Sequence, residues 1–297
     1  KKVMQFTNFE FQSKKNSSYI KKNNVGANIF KKLLDCLYTK GISNPLQAIE
    51  VITKLLLIKN IFESGLLKSF KGHPEAHIFE KFIELDWNGF KKKYYVQDIS
   101  YTLKNEIFPL INFLADQGSE LALLGAQLRF DLDLSNIPND FIVKVLDLID
   151  CAIEKNDYTP GELFDDLIQS LSISGSYGEF VTPDHISSLI VEMMAPNSND
   201  VILDPFCGTG TILMRAYKYI YKNDLKRLKK EKNKQHFIKN TFNGNDLNST
   251  ISNLSKINFF LNGIQNNIDN KDTLSDEFVE RNKNKYSLII SNPPFFL

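Results

Sequence analysis

Near the carboxyl end of the chain a short apolar run, Leu288-Ile-Ile-Ser291, gives way to Asn292-Pro293-Pro294-Phe295. The Asn292 side-chain oxygen and the Pro293 carbonyl are both acceptors, and each can take one N–H of an exocyclic amine on a planar ring. Such an amine is a poor nucleophile because its lone pair is delocalised into the ring. Holding both hydrogens favours a pyramidal nitrogen whose lone pair is free to attack, with no general base needed beforehand. Pro293 and Pro294 constrain the backbone so that the two oxygens converge, and Phe295 offers a face on which a base turned out of a duplex can stack. The chemistry these residues suit is group transfer to the amino nitrogen of a nucleobase.

The group to be transferred needs its own site, and Val201-Ile-Leu-Asp-Pro-Phe-Cys-Gly-Thr-Gly-Thr-Ile-Leu213 supplies a candidate. An apolar run ends in Asp204, crosses a turn holding Gly208, Thr209 and Gly210, and re-enters a helical pattern at Thr211. Glycines let the backbone approach a ligand closely, and N–H groups at a helix start form a polar, anion-tolerant cradle. The turn lacks the GxGxxG spacing of a dinucleotide site and the GKS or GKT of a phosphate loop, which disfavours NAD and ATP. The carboxylate of S-adenosyl-L-methionine fits such a cradle. Asp246, at the end of a second strand, is suited to accept from both ribose hydroxyls. Asp272, past a third strand, is a candidate for the adenine amino group or else a plain surface aspartate. Cys207 is not expected to act as a nucleophile, since amine methylation needs none. No Pro-Cys follows the fourth strand, which disfavours methylation at a cytosine carbon.

The elements that position these residues follow from periodicity. Ile29, Phe30, Leu33, Leu34 and Leu37 repeat at helical spacing, and Asn44, Pro45 and Gln47 form a strong helix start. That helix is expected to run through Ile49, Ile52, Leu55, Leu56 and Ile58 to Phe62, with Lys54 and Lys59 in solvent. Further helices are expected at 101–116 and 139–155, and Thr159-Pro-Gly-Glu162 is a capping box before the stripe Leu163, Leu167, Ile168 and Leu171. Alternation of helix and strand then begins, the pattern of a parallel sheet. Ile186, Leu189, Ile190 and Met193 are expected inward on a helix that starts at Thr182-Pro183. Strands are expected at 201–203, 241–245, 269–274 and 286–291, with Ile251, Leu254, Ile257 and Leu261 on a helix that Gly263 stops. The domain reading is an arm over 1–28, a helical domain over 29–160 and an α/β domain over 161–297.

Composition sets bounds. The 297 residues carry a net charge of +1, so contact with nucleic acid must come from local patches or a partner chain. Six basic residues within nine positions, Lys226 to Lys234, form one such patch or a solvated face. Three scattered cysteines, Cys36, Cys151 and Cys207, with no CxxC pair, point to a reducing compartment, the cytoplasm, and to no structural zinc. His73 and His77 stand four apart, but Pro74 and the lack of a third ligand argue for a surface helix start rather than a metal site. No run is long enough to span a membrane. The chain starts without Met and stops just after Phe295, so a fragment is expected.

On these motifs the chain resembles the modification subunit of type I restriction-modification systems, an adenine-N6 DNA methyltransferase family. The amino-terminal stretch Gly41-Ile-Ser-Asn-Pro-Leu-Gln-Ala-Ile-Glu50 resembles the helical domain of such subunits, and Gly178-Glu-Phe-Val-Thr-Pro183 their first cofactor motif. The resemblance implies a helical domain followed by a Rossmann-like methyltransferase domain whose parallel sheet is incomplete in this chain. It implies that Glu179, Phe180, Val181, Thr182, Pro183, Asp184, Asp204, Gly208, Thr209, Gly210 and Thr211 contact S-adenosyl-L-methionine, with Asp246 at its ribose. Asn292, Pro293, Pro294 and Phe295 would then hold the target adenine. The implied partners are a specificity subunit, a second modification subunit, a restriction subunit and double-stranded DNA. Cofactor turn before tetrad is the family's gamma order. Phe206 stands where these subunits usually carry Ala, and the resulting DPFCGTG turn also resembles guanine-N2 RNA methyltransferases. An RNA enzyme and a non-catalytic scaffold that keeps the cofactor fold are the alternatives. The fragment alone is expected to be inactive.

Overall fold

The computed structural model describes residues 44–72, 80–95, 98–116, 137–155, 158–173, 181–265 and 267–294, with isolated positions 31, 32 and 35. The expected arm over 1–28, most of the first helix and the His73/His77 pair lie outside the described residues.

Helix α1 (Pro45–Glu63) begins as expected, with the Asn44 side chain accepting from the N–H groups of Leu46 and Gln47 and Pro45 in the first turn. It is a central helix, because Ile49, Ile52, Leu55, Leu56 and Ile58 are all buried. Its polar face departs from expectation: Lys59 is 0% and Lys54 5% exposed. Lys59 lies in a pocket of opposite charge, 2.8 Å from Asp150, 2.5 Å from Glu63 and above the Trp87 ring. Lys54 pairs with Glu50 at 2.6 Å. A helix period cannot reveal the burial of Lys59, since Asp150 comes from another part of the chain and buried charge is tolerated only when paired. Asp150, at the end of α3 (Asn139–Asp150), also accepts from the Trp87 Nε1–H of α2 (Trp87–Tyr94) at 2.8 Å and pairs with Lys91. Burial works to raise the Asp150 pKa, but the hydrogen bonds from Lys59, Lys91 and Trp87 outweigh it and hold the carboxyl below its ordinary value. The run Ile99–Asp116 is helical with one wider stretch, Leu103–Ile107.

The Thr159/Glu162 box closes in both directions: the Thr159 N–H donates to Glu162 and the Glu162 N–H to Thr159. It starts α4 (Pro160–Ile173), whose Leu163, Leu167 and Ile168 pack on α1. From residue 181 the chain alternates α5 (Asp184–Met194), β1 (Ile202–Asp204), α6 (Thr211–Asn223), α7 (Glu231–Lys239), β2 (Phe242–Asn245), α8 (Ser249–Leu261), β3 (Ile268–Asp269), α9 (Asp276–Asn282) and β4 (Leu288–Ile289). The strands are parallel in the order β3-β2-β1-β4, with Ile202 opposite both Phe242 and Leu288. The third strand is shorter than expected and begins earlier; from Asn270 the chain is already turning toward α9.

The orientation of α5 departs from the expectation except at Ile190, which is partly buried against the sheet core as expected. Ser187 and Val191 are buried, whereas Ile186, Leu189 and Met193 are exposed, the last two at 54% and 76%. Periodicity tells which residues share a face but not which face meets the neighbour. Here an Asp184–Arg215 ion pair and the small Ser187 bring α5 against α6 on its other side. The basic stretch lies mostly in solvent, with Lys226, Arg227, Lys229, Lys230 and Lys232 exposed. No described helix is long and apolar enough to cross a membrane.

Candidate functional site

Chain order reverses at β1, which has β2 on one side and β4 on the other. At such a switch the carboxyl ends of the strands diverge and leave a crevice, the usual ligand position in an open parallel sheet. Both sequence motifs end there. Gly208 (φ 56°) and Gly210 (φ 83°) adopt left-handed backbone in the turn after β1. At Gly210 a Cβ would stand 2.7 Å from Ser255 Oγ and 3.2 Å from Phe259, so glycine there allows close packing of α8. Asn258 of α8 also donates to the Thr209 carbonyl at 3.1 Å, and Cys207 N–H to the Asn245 carbonyl at 2.9 Å. Thr209 and Thr211 hydroxyls are 3.2 Å apart.

Two carboxylates flank the turn. Asp246 accepts from the Gly208 N–H at 3.0 Å through one oxygen and the Asn248 N–H at 2.8 Å through the other, leaving each oxygen a further lone pair. Burial raises its pKa and those two N–H groups oppose the rise. Asp204 is 1% exposed. Its Oδ1 accepts from Ser291 Oγ at 2.6 Å and the Phe206 N–H at 3.2 Å, while Oδ2 is buried without a hydrogen-bond partner. Burial, against those two hydrogen bonds and with Asp246 adding to it, pushes the Asp204 pKa up to about 7. Burial and then the same two aspartates push the Cys207 thiol well above its ordinary value, so it stays protonated.

The tetrad follows β4 directly. Asn292 Nδ2 donates to Thr182 Oγ1 at 3.4 Å, joining the upstream motif to the downstream one across 110 residues. Val181 is buried and Pro183 precedes the first turn of α5. Asp184 is engaged by Arg215. Pro293 and Pro294 are exposed. Asp272 is exposed too, its carboxylate accepting from the Leu274 N–H. Its neighbour Thr273 reaches the turn instead, donating to the Pro205 carbonyl at 2.6 Å and accepting from Asn245 Nδ2 at the same distance. Glu179, Phe180 and Phe295 lie outside the described residues. Groups of three or more metal-ligating side chains are absent among the described residues.

Residues 156–297 match the family model for N-6 DNA Methylase. This segment is similar to the N-6 DNA methylases. Among curated relatives, the type I restriction enzyme EcoEI methylase subunit of Escherichia coli is 28% identical, over 52% of this chain and 31% of its own. The MjaVIII methylase subunit of Methanocaldococcus jannaschii is 29% identical, over 40% and 20%. The chain therefore spans less than a third of either relative. The solved modification subunit of a type I restriction enzyme from Vibrio vulnificus YJ016 superposes with a TM-score of 0.65 at 19% identity, covering 92% of this chain and 61% of that one. The type I restriction-modification system methyltransferase subunit from Streptococcus thermophilus gives 0.55 at 16% identity over 92% and 63%. The fold, helical half included, is that of these modification subunits.

Within residues 156–297, the residues that sequence reasoning missed are those that hold the motifs in place. Ser255 and Asn258 clamp the glycine turn from α8, Thr273 and Asn245 tie the loop after β3 to Pro205, and Ser291 binds Asp204. Only Ser291 has a sequence signal, its place just before the tetrad.

Proposed function

We propose that this chain is part of the modification subunit of a type I restriction-modification assembly and transfers methyl from S-adenosyl-L-methionine to the N6 of a flipped adenine in double-stranded DNA. The carrying observation is the parallel pairing of β1 with β4, which sets the glycine turn and Asn292-Pro293 side by side at the switch point. The chemistry of the acceptors fits the cofactor. Asp204 Oδ2, buried and unpartnered, suits the ammonium end of its methionyl group, and the spare lone pairs of Asp246 suit the ribose hydroxyls. When bound, the cofactor supplies an electrophilic methyl on a sulfonium.

The protein's own part is positioning. Asn292 Oδ1 and the Pro293 carbonyl each accept one amine hydrogen of adenine, and Phe295 stacks on the ring. Exclusion of a thiolate route follows from Cys207, whose buried thiol stays neutral. The partners in this reading are a specificity subunit, which selects the DNA sequence, a second modification subunit and a restriction subunit. The RNA guanine-N2 alternative rests on Phe206, and a family match to DNA methylases does not favour it.

The test is reconstitution of the full-length chain with its specificity subunit, followed by mass spectrometry of digested duplex DNA. N6-methyladenine is the expected product, and Asn292→Ala should lower kcat by roughly a hundredfold or more, the cost of removing one positioned polar contact at a reacting centre. Transfer to RNA by the chain alone, or activity undiminished in Asn292→Ala, overturns the reading.

A further inference from the structure

Ser291 belongs to neither motif, yet it touches both. Its hydroxyl donates to Asp204 Oδ1 at 2.6 Å, and the next residue in the chain is Asn292. The register of β1 against β4 pairs Leu203 with Ile289, so the two strand ends run side by side and Ser291, two residues past β4, reaches back to the acid closing β1. The contact is half-buried on the serine side and buried on the aspartate side. A short bond from a hydroxyl to a carboxylate away from solvent is strong and directional. Asp204 has one further donor, the Phe206 N–H of its own turn, so Ser291 is its sole side-chain hydrogen-bond partner among the described residues.

We propose that Ser291 is a positioning residue that couples the cofactor turn to the base-holding tetrad, fixing Asn292 relative to Asp204 through this one hydroxyl. The role rests on the methyltransferase reading above. By occupying Oδ1, the hydroxyl leaves Oδ2 as the oxygen directed to a cationic ligand, and it favours the carboxylate form that such a ligand needs. The titratable groups facing Asp204 are Asp246 past β2, which works against ionisation, and Cys207 in the same turn, which stays neutral. Ser291 is thus the side chain that offsets Asp246. The coupling has direction: a change in the charge of Asp204 alters the bond that holds the residue before Asn292.

Two measurements on the full-length chain separate this role from a merely structural one. The first needs no turnover. Carboxyl carbon NMR of Asp204 is followed with pH in wild type, Ser291→Ala and Ser291→Thr. The alanine variant should titrate higher by about one unit and the threonine variant as wild type. The second uses the complex with the specificity subunit on duplex DNA. Ser291→Ala should lower kcat roughly tenfold or more and move the acid limb of kcat/KM upward, with threonine restoring both. Identical Asp204 titration in wild type and Ser291→Ala overturns the coupling, as does an unchanged kcat and acid limb. If wild type itself makes no N6-methyladenine, the functional reading fails, and the NMR titration still decides whether Ser291 governs Asp204.

Discussion

At the scale of single residues, the site is governed by how a few polar groups are desolvated. Asp204 and Asp246 stand on either side of one glycine turn, yet they are differently satisfied: Asp246 holds a backbone N–H on each oxygen, while Asp204 keeps one oxygen bare. An unpartnered buried oxygen costs free energy unless a ligand or proton supplies a partner. This has a consequence for stability. A carboxyl raised from an ordinary value near ~4 to about 7 holds its proton in the folded state; its contribution is full below pH ~4 and is lost as pH rises through 7. Urea midpoints of the free protein should therefore fall between pH 5 and pH 8, and by less in Asp204→Asn, which has no proton to lose. Equal falls in the two proteins would contradict the burial argument. The helical half shows the opposite arrangement, where buried Lys59 and Asp150 satisfy each other and both stay charged, with the Lys59 pKa raised because its bonds to Asp150 and Glu63 outweigh burial.

At the scale of elements, the glycine turn is held by α8 as much as by its own sequence. The space that Gly210 leaves is filled by Ser255 and Phe259, and Gly244 of β2 leaves the same kind of space for Ile268 and Cys207, at 2.8 and 2.9 Å from a would-be Cβ. Gly210→Ala adds a methyl at φ 83° against Ser255, so it combines left-handed strain with overpacking. A loss of roughly 1–3 kcal/mol is expected by chemical denaturation. Ser255→Ala in the same chain should recover part of it, because the nearest clashing atom is the serine oxygen. Additive losses in the double variant would show that the clash is not with Ser255.

For the whole molecule, the boundary expected near residue 160 marks a change of pattern along the chain, and packing crosses it. One face of α8, carrying Ile251, Leu254, Ile257 and Leu261, joins the core formed by α1, α3 and α4. Phe259 of the same helix joins the sheet core with Ile202, Leu213 and Phe242. One helix therefore shares two cores, and the helical half and the sheet should unfold together. Trp87, the single tryptophan, reports on the helical half, and amide exchange at Ile202 reports on the sheet. Coincident denaturant dependence of the two is the expected outcome. A sheet that opens at lower denaturant than Trp87 would refute it.

Local chemistry was legible in the sequence. The Asn44 and Thr159/Glu162 helix starts, the glycine turn after β1, the apolar stripe of α8 and the placing of Asp246 at a strand end all follow from interactions within a few residues. What tertiary structure alone decided are the questions that partners distant in sequence answer. Lys59 is buried because Asp150 lies beside it, α5 turns Ile186, Leu189 and Met193 outward because Arg215 and α6 take its other face, and Asp272 stays in solvent while Thr273 reaches the turn. Ser291 gained its contact only when β4 paired with β1, since a hydroxyl reveals its acceptor through geometry and not through spacing.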